Sequence, residues 1–178
     1  MIISGRLSVG RSLHSHYAEP CAPARIYPGT FDPFAVELRQ QQLGTLTAPL
    51  SSRSGFHNVL GRFPILRSNS TLMLDGRIYI VKGAIGQGAY AKIYEASLPA
   101  LGTQTPRVVL KVQDSIGGLW EFYVASELQR RLGGESPVAD AVMTVEDGFF
   151  NDAGSILVNQ YLPYGNLLGL VNHYRLKV

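Results

Sequence analysis

The sequence predicts an α+β fold in which a five-stranded antiparallel sheet packs against one helix. Three observations predict it. Short runs rich in β-branched and aromatic residues follow one another between turn residues, one helical stretch interrupts them, and more strand-like runs come after it. This order is typical of α+β proteins. The 178 residues, of which 46% are hydrophobic and 16% charged, have a globular composition.

The first 70 residues lack the pattern of a sheet. Residues 1–30 are predicted to be irregular or disordered, because small, basic and proline residues alternate there without a period. A short helix is predicted next, since Asp32 can cap it, Pro33 suits its first turn and Gly44 can end it. Residues 45–70 are predicted to form an extended segment, whose isolated hydrophobic residues lie against a neighbouring surface.

Strand signals begin at Thr71. TLML and RIYIVKGAI, joined by the turn pair Asp75-Gly76, predict a hairpin. AYAKIYEASL and RVVLKVQ predict further strands on either side of the loop GTQTP. These runs alternate in the way that a half-buried antiparallel sheet requires.

The central helix is predicted at LWEFYVASELQRRL, because a pair of glycines precedes it and another pair follows it. Residues 138–150 and 154–161 predict two more strands. A further helix is predicted to begin at NLLGLVNHYR, after Pro163 and Gly165 have interrupted the chain.

Charge, cysteine content and hydropathy limit the function classes. Residues 1–70 carry seven Arg, no Lys and three acids, whereas residues 71–178 carry nine basic and ten acidic residues. A basic excess confined to the first part does not predict nucleic-acid binding. Cys21 is the only cysteine, so no intrachain disulfide can form and a cytosolic or nuclear setting is expected. No run of 18 apolar residues exists, so no membrane partner is predicted.

The turn Gly86-Gln87-Gly88 is the first candidate for chemistry. Closely spaced glycines let backbone N–H groups approach a phosphate, and Lys111 lies inside a strand about 25 residues later. A dinucleotide-binding motif would need a helix directly after the glycines, whereas Ile93 favours a strand. A hairpin that folds its glycine tip over phosphates fits better, with Ile93 over a nucleotide base, and an ordinary glycine-rich turn remains open.

Lys111 is the second candidate. Strand alternation places it on one face with Val109 and Gln113, while the intervening residues form a continuous apolar face. Such a lysine can meet a ligand at the open side of the sheet. The alternative is a surface lysine on a half-exposed strand.

Glu121 is the third candidate, and helical spacing places it in the middle of an apolar stripe. The stripe consists of Val124, Ala125, Leu128 and Leu132. An unpaired carboxylate there is costly, so Lys111 is expected to be its partner. The alternative is a partly solvated Glu121 favoured by the helix dipole. Glu127 is expected on the solvated side, paired with Arg131.

Together these stretches resemble the N-terminal lobe of a eukaryotic protein kinase. GQGAYAKI is similar to the glycine-rich loop, VVLK ends on Lys111, WEF contains Glu121, and LVNQYLPYGNLL resembles the hinge. Their details resemble the mitotic spindle checkpoint kinases of the "budding uninhibited by benzimidazole" (BUB) family. DPFAVELRQQQL and PLSSRSGFH are similar to the extension that precedes the kinase domain in that family, and the resemblance covers about residues 27–174.

The resemblance implies a division of the chain. Residues 1–30 form an irregular tail, residues 31–70 the extension with its short helix, residues 71–162 the kinase N-terminal lobe, and residues 163–178 the start of a truncated C-terminal lobe.

The resemblance also implies an ATP site. Lys111 would contact the α- and β-phosphates and pair with Glu121, which makes these two the expected catalytic residues. The glycine turn would cover the phosphates, Ile93 and Val109 would sandwich the adenine, and Asn159 occupies the gatekeeper position. The expected nucleotide-binding residues are Ile85, Gly86, Gln87, Gly88, Ala89, Ile93, Val109, Lys111, Asn159, Gln160 and Leu162.

Phosphoryl transfer also needs a His-Arg-Asp-type loop and a metal-binding Asp-Phe-Gly motif. None of the four histidines begins such a loop, and Asp147-Gly148-Phe149-Phe150 has the wrong order and precedes the hinge. We therefore expect no metal ligands in this chain, although Mg²⁺ serves the full-length family. The expected cause is that the C-terminal lobe is missing, which leaves the chain inactive alone.

The resulting expectation is the ATP-binding N-terminal lobe of a mitotic checkpoint serine/threonine kinase. Its expected partners are ATP and checkpoint and kinetochore proteins, and its expected location is the nucleus, kinetochore or cytoplasm. The alternative is a non-catalytic, pseudokinase-like binding or scaffold module at the kinetochore. A Rossmann-type dehydrogenase is the third possibility, and it would require a helix directly after Gly88.

Overall fold

The computed structural model describes residues 35–99, 105–113, 117–133, 138–163, 165 and 167–175. The tail predicted at residues 1–30 and the helix cap predicted at Asp32 and Pro33 lie outside these residues.

The described residues form one sheet with three α-helices. The strands are β1 (Phe56–Asn58), β2 (Ser70–Leu74), β3 (Arg77–Gln87), β4 (Ala91–Ser97), β5 (Arg107–Gln113), β6 (Val145–Asn151) and β7 (Gly154–Gln160). The helices are α1 (Val36–Gly44), α2 (Gly117–Leu132) and α3 (Leu167–Arg175). Single 3₁₀ turns lie at Leu50–Ser52 and Ala139–Ala141.

The predicted α+β class is confirmed, but the described sheet has seven strands rather than five: the six stretches with strand signals each contain one, and β1 is additional. Their order is β1-β6-β7-β5-β4-β3-β2, so β1 and β2 form the two edges. Every pairing is antiparallel except that of β1 with β6, which is parallel. β1 has only three residues and pairs with β6, so its sequence is too short to show an alternating pattern. Residues 138–144, predicted as strand, lie before β6 and include the 3₁₀ turn.

The turn pair Asp75-Gly76 joins β2 and β3 as predicted. Asp75 has φ 46° and Gly76 has φ 77°. Two successive positive φ values are the signature of a type I′ turn, whose twist matches that of the strands that it connects. The hairpin therefore follows directly from this dipeptide.

The main core lies on one face of the sheet, opposite to α2. It consists of Leu72, Leu74, Tyr79, Val81, Ala96, Val108, Leu110, Phe149, Ile156 and Val158. Val59, Phe63 and Leu66 of the extension, here residues 35–69, pack against it. Burial raises the pKa of the Tyr79 phenol to about 12. The extension thus forms the outer cover of this face, as its spaced hydrophobic residues predict.

A second apolar cluster lies on the other face, beneath α2. Phe122, Phe150 and Leu157 form its buried part, and Leu50, Phe56, Leu119 and Val145 pack against them. The Phe56 ring stacks on that of Phe150 with centroids 4.6 Å apart. The extension therefore contributes apolar side chains to both faces of the sheet.

The buried face of α2 differs from the predicted stripe. Gly118 and Phe122 are its buried residues, whereas Val124 and Leu128 are 36% and 43% exposed. The expectation that Glu121 lies within a buried stripe is wrong, because the helix docks through its first turns. There Gly118 comes so close to β7 that an added Cβ would lie 2.7 Å from the Ser155 Cβ.

Arg53 of the extension holds the middle of α2. Its guanidinium donates to Ser126 Oγ at 2.6 Å and to Glu127 Oε2 at 3.2 Å, and it lies 5.0 Å from the centre of the Tyr123 ring. Glu127 also accepts hydrogen bonds from Arg130 and, as predicted, from Arg131. Its side chain is only 15% exposed, because Arg53 and these arginines cover it, so the expected solvated position is wrong. These contacts make Glu127 the junction between the extension and the helix.

His57 holds the extension to the sheet at its other end. Its Nδ1 lies 2.7 Å from Asp75 Oδ2 and its Nε2 lies 3.0 Å from Asp147 Oδ1. Its ring stacks on that of Phe149 at 4.7 Å.

Among the described residues, no helix is long and apolar enough to cross a membrane.

Candidate nucleotide-binding site

Lys111 and Glu121 form an ion pair in the structure. The Lys111 Nζ donates to Glu121 Oε2 at 2.6 Å and to Oε1 at 2.9 Å. Each side chain keeps 27% of its surface exposed. An ammonium group has three donors, so one N–H of Lys111 remains for a ligand on the open side.

Gln113 is a third member of this cluster that was not assigned from the sequence. Its Nε2 donates to Glu121 Oε2 at 3.0 Å, and the residue is 6% exposed. Gln113 lies two residues after Lys111 on the same face of β5, so strand alternation contained the signal. This second donor helps to fix the orientation of the Glu121 carboxylate.

The glycine turn comprises the last two residues of β3 and Gly88, the first residue of the loop to β4. The Gly88 N–H donates to the Ala91 carbonyl at 2.9 Å, and a Cβ at Gly88 would meet nothing within 4 Å. Residues 85–89 are all exposed. The turn therefore presents uncovered backbone, which is what close approach of a phosphate requires. No helix follows Gly88, so the dehydrogenase alternative fails.

Strand register aligns the turn with the lysine. Gly86 is opposite Ile93, and Ile93 is opposite Lys111. Residues opposite each other point to the same face, and adjacent strands lie about 4.8 Å apart, so Gly86 and Lys111 are separated by roughly 10 Å on one face. A row of apolar and charged side chains thus runs from the turn to the ion pair.

Asn159 and the segment that follows it, residues 160–163, here called the strap, border the same face. Asn159 is opposite Val109 on β5, and it is 3% exposed. Gln160 is the last residue of β7, and Leu162 lies beyond it with 54% of its surface exposed. Beyond Gln160 the chain has left the sheet.

A cavity of about 360 Å³ lies beside the glycine turn, on the face of the sheet opposite to Lys111. Residues 62–66 of the extension and residues 87–92 line it, together with Tyr94 and Val112. Tyr94 and Val112 alternate with Ile93 and Lys111, so their side chains point away from the ion pair. The cavity therefore lies away from the Lys111 side chain, although Gln113, which contacts Glu121, lines it as well.

The described residues do not fit a metal site of their own. No group of three His, Cys, Asp or Glu side chains in this part of the chain could hold a metal ion. A divalent cation at the site would need ligands from phosphate oxygens or from water.

The sequence matches three curated checkpoint kinases. It is 28% identical over 146 residues to mitotic checkpoint serine/threonine-protein kinase BUB1 of Mus musculus, which covers 81% of this chain and 14% of the mouse protein. It is 28% identical over 153 residues to bub-1 of Caenorhabditis elegans, covering 84% of this chain and 15% of that protein. It is 26% identical over 161 residues to spindle assembly checkpoint kinase BUB1 of Saccharomyces cerevisiae, covering 82% and 15%.

The chain thus spans only about 14–15% of the length of these relatives. No protein-family model matches it. Among solved structures, the crystal structure of the BubR1 kinase domain superposes with a TM-score of 0.71 at 25% sequence identity. The superposition covers 83% of this chain and 43% of that one. The chain is therefore a homologue of the BUB1 checkpoint kinases, with the fold of a kinase N-terminal lobe.

Proposed function

We propose that this chain is the ATP-binding N-terminal lobe of a mitotic checkpoint serine/threonine kinase. The observation that carries the proposal is the Lys111–Glu121 ion pair, which lies on the same face of the sheet as the uncovered glycine turn. A fixed ammonium group on the same face as an exposed glycine-rich turn suits the phosphates of a nucleotide.

Each part of ATP has a proposed contact. The turn from Ile85 to Ala89 covers the phosphates, and Lys111 binds the α- and β-phosphates while Glu121 positions it. Ile93 and Val109, both partly buried on this face, pack against the adenine. The backbone groups of Gln160 and Leu162 bind the edge of the base. The kinase homology of the chain supports this assignment.

We further propose that the 178 residues transfer no phosphate by themselves. Transfer needs a catalytic Asp, its Asn partner and a metal-binding Asp-Phe-Gly motif, and this sequence contains none of these loops. Mg²⁺ would therefore arrive as the ATP complex. The similarity to mitotic and spindle assembly checkpoint kinases supports checkpoint proteins as partners. We propose kinetochore proteins as further partners, and a nuclear, kinetochore or cytoplasmic location.

Calorimetric titration of the full chain with ATP tests the proposal. We expect Lys111→Met to weaken ATP binding at least about tenfold, the size of one lost charge-assisted hydrogen bond. Lys82→Met is the matched control, because Lys82 is an exposed lysine of β3 outside the proposed site, and its affinity should equal that of the wild type. Equal losses in both variants would show a general charge effect and contradict the assigned site.

The second candidate function is a binding module without nucleotide. It is favoured by the missing catalytic loops, and a stable, cooperatively folded chain that binds no ATP would support it.

Transfer of labelled γ-phosphate by the purified chain would contradict the proposed inactivity. That result would leave ATP binding intact.

A further inference from the structure

Asn159 carries a buried polar atom that has no partner in the described part of the chain. The residue is 3% exposed, and its Oδ1 accepts no hydrogen bond there. A buried amide oxygen without a donor is costly, and most native structures avoid it. The position therefore calls for a donor that comes from outside the described residues.

The strand neighbours of Asn159 offer no donor to its Oδ1. Strand register places Val109 on one side of it and Val145 on the other. Leu157, two residues earlier on the same face, belongs to the apolar cluster beneath α2. None of these side chains can donate a hydrogen bond to the amide.

Asn159 also lies where a base would bind under the proposed function. Lys111 is two residues from Val109 on the same face, so Asn159 is diagonal to the ion pair. The strap that leaves the sheet begins directly after it, at Gln160. The terminal torsion of an Asn side chain is broad, so the amide can turn toward this open edge.

We propose that Asn159 is a specificity-determining residue that accepts a hydrogen bond from the 6-amino group of adenine. This inference rests on the proposed ATP site, and it adds a side-chain contact to the backbone contacts of the strap. An apolar residue at this position would leave the 6-amino group without this acceptor. The 6-position of the base is therefore recognised by a side chain.

A cycle of two proteins and two nucleotides tests the contact. The full chain and Asn159→Leu are each titrated with ATP and with purine riboside 5′-triphosphate, which has hydrogen in place of the 6-amino group. For each protein, the affinity for ATP is divided by the affinity for purine riboside 5′-triphosphate. This ratio should be roughly fivefold higher for the wild type than for Asn159→Leu, which is the size of one neutral hydrogen bond. Contacts of the 6-amino group with the strap cancel, because both proteins have them.

Two further measurements keep the test decisive. Asn159→Val is a second variant in case leucine does not fit. Ser97→Ala is the control, because it removes a buried hydroxyl that likewise has no described partner and that makes none of the proposed contacts with ATP. We expect Asn159→Val to repeat the loss of preference and Ser97→Ala to retain the wild-type preference. An equal ATP preference in the wild type and both Asn159 variants would overturn this inference alone. Failure of the wild type to bind either nucleotide would overturn the ATP site as well.

Discussion

At the scale of single residues, the exposure of the Lys111–Glu121 pair limits what it contributes to folding. Each partner keeps 27% of its side-chain surface in contact with solvent. Screening and side-chain entropy leave such pairs worth about 0–1 kcal/mol. The pair is therefore better suited to positioning an ammonium group than to holding α2 on the sheet.

A double-mutant cycle of Lys111→Met and Glu121→Gln tests this conclusion by urea unfolding. We expect a coupling free energy below about 1 kcal/mol. The Arg107–Glu95 pair, whose side chains are 49% and 21% exposed, is the matched control and should give a similar value. A coupling of several kcal/mol at Lys111 alone would show that the pair is a structural element of the core.

Glu127 makes the free energy of unfolding depend on pH. Hydrogen bonds from Arg130 and then Arg131 hold the pKa of this carboxyl well below its usual range. A carboxyl whose pKa is lowered by folding stabilises the fold above its unfolded pKa of about 4.3, and this stability is lost as the pH falls toward the folded value.

We therefore expect Glu127→Gln to lower the free energy of unfolding at pH 7 and at pH 5. The gap to the wild type should narrow as the pH falls below about 4, because the wild type then loses the contribution that the variant lacks. Urea unfolding at several pH values measures both proteins. A gap that stays constant or widens in acid would contradict the assigned charge network.

At the scale of elements, α2 is positioned by the glycine in its first turn. Gly118 allows the helix to approach β7 so closely that any Cβ would overlap the Ser155 side chain. Glu121 lies less than one turn further along the helix, so this approach determines how near its carboxylate comes to Lys111.

Substitution of Gly118 tests the seating of α2. We expect Gly118→Ala to destabilise the chain by about 1–3 kcal/mol, as overpacking does, and Ser155→Gly in the same chain to restore part of the loss. Gly44→Ala is the control, because a Cβ there meets nothing within 4 Å. Equal effects at Gly44 and Gly118, measured by thermal unfolding, would contradict the close approach.

Some elements follow from the sequence and others depend on tertiary contacts. The β2–β3 hairpin follows from Asp75-Gly76, and β5 and α2 follow from alternation and flanking glycines, because these signals are local. β1 could not be predicted, since three residues carry no period. The buried face of α2 was predicted wrongly, because Gly118 decides it through a contact with a distant strand.

The candidate site shows the same division. The Lys111–Glu121 pair was expected from a strand face and a helix position, although the stripe used to argue it was wrong. Strand alternation alone could have predicted that Gln113 lies close to Glu121, because Gln113 is on the same face of β5 as Lys111. The Arg53 contacts with α2 join residues more than 70 positions apart, and no local pattern contains that information.

At the scale of the whole molecule, the extension and α2 cover different parts of one sheet. Val59, Phe63 and Leu66 pack on the main core, while Leu50 and Phe56 join the cluster beneath α2. The row from Gly86 through Ile93 to Lys111 remains on the second face, beside these clusters. The superposition covers 43% of the BubR1 kinase domain chain, consistent with one lobe of a kinase.

Backbone amide chemical shifts of the full chain, recorded during titration with ATP, test the central claim most directly. The account predicts saturable shifts at Gly86–Ala89, Lys111, Gln160 and Leu162, which should require at least about tenfold more ATP in Lys111→Met. Residues 62–66, which line the cavity on the opposite face, should not shift in concert with them. Saturable shifts at residues 62–66 without shifts at Lys111, Gln160 and Leu162, or no shifts at all, would contradict an ATP site at Lys111.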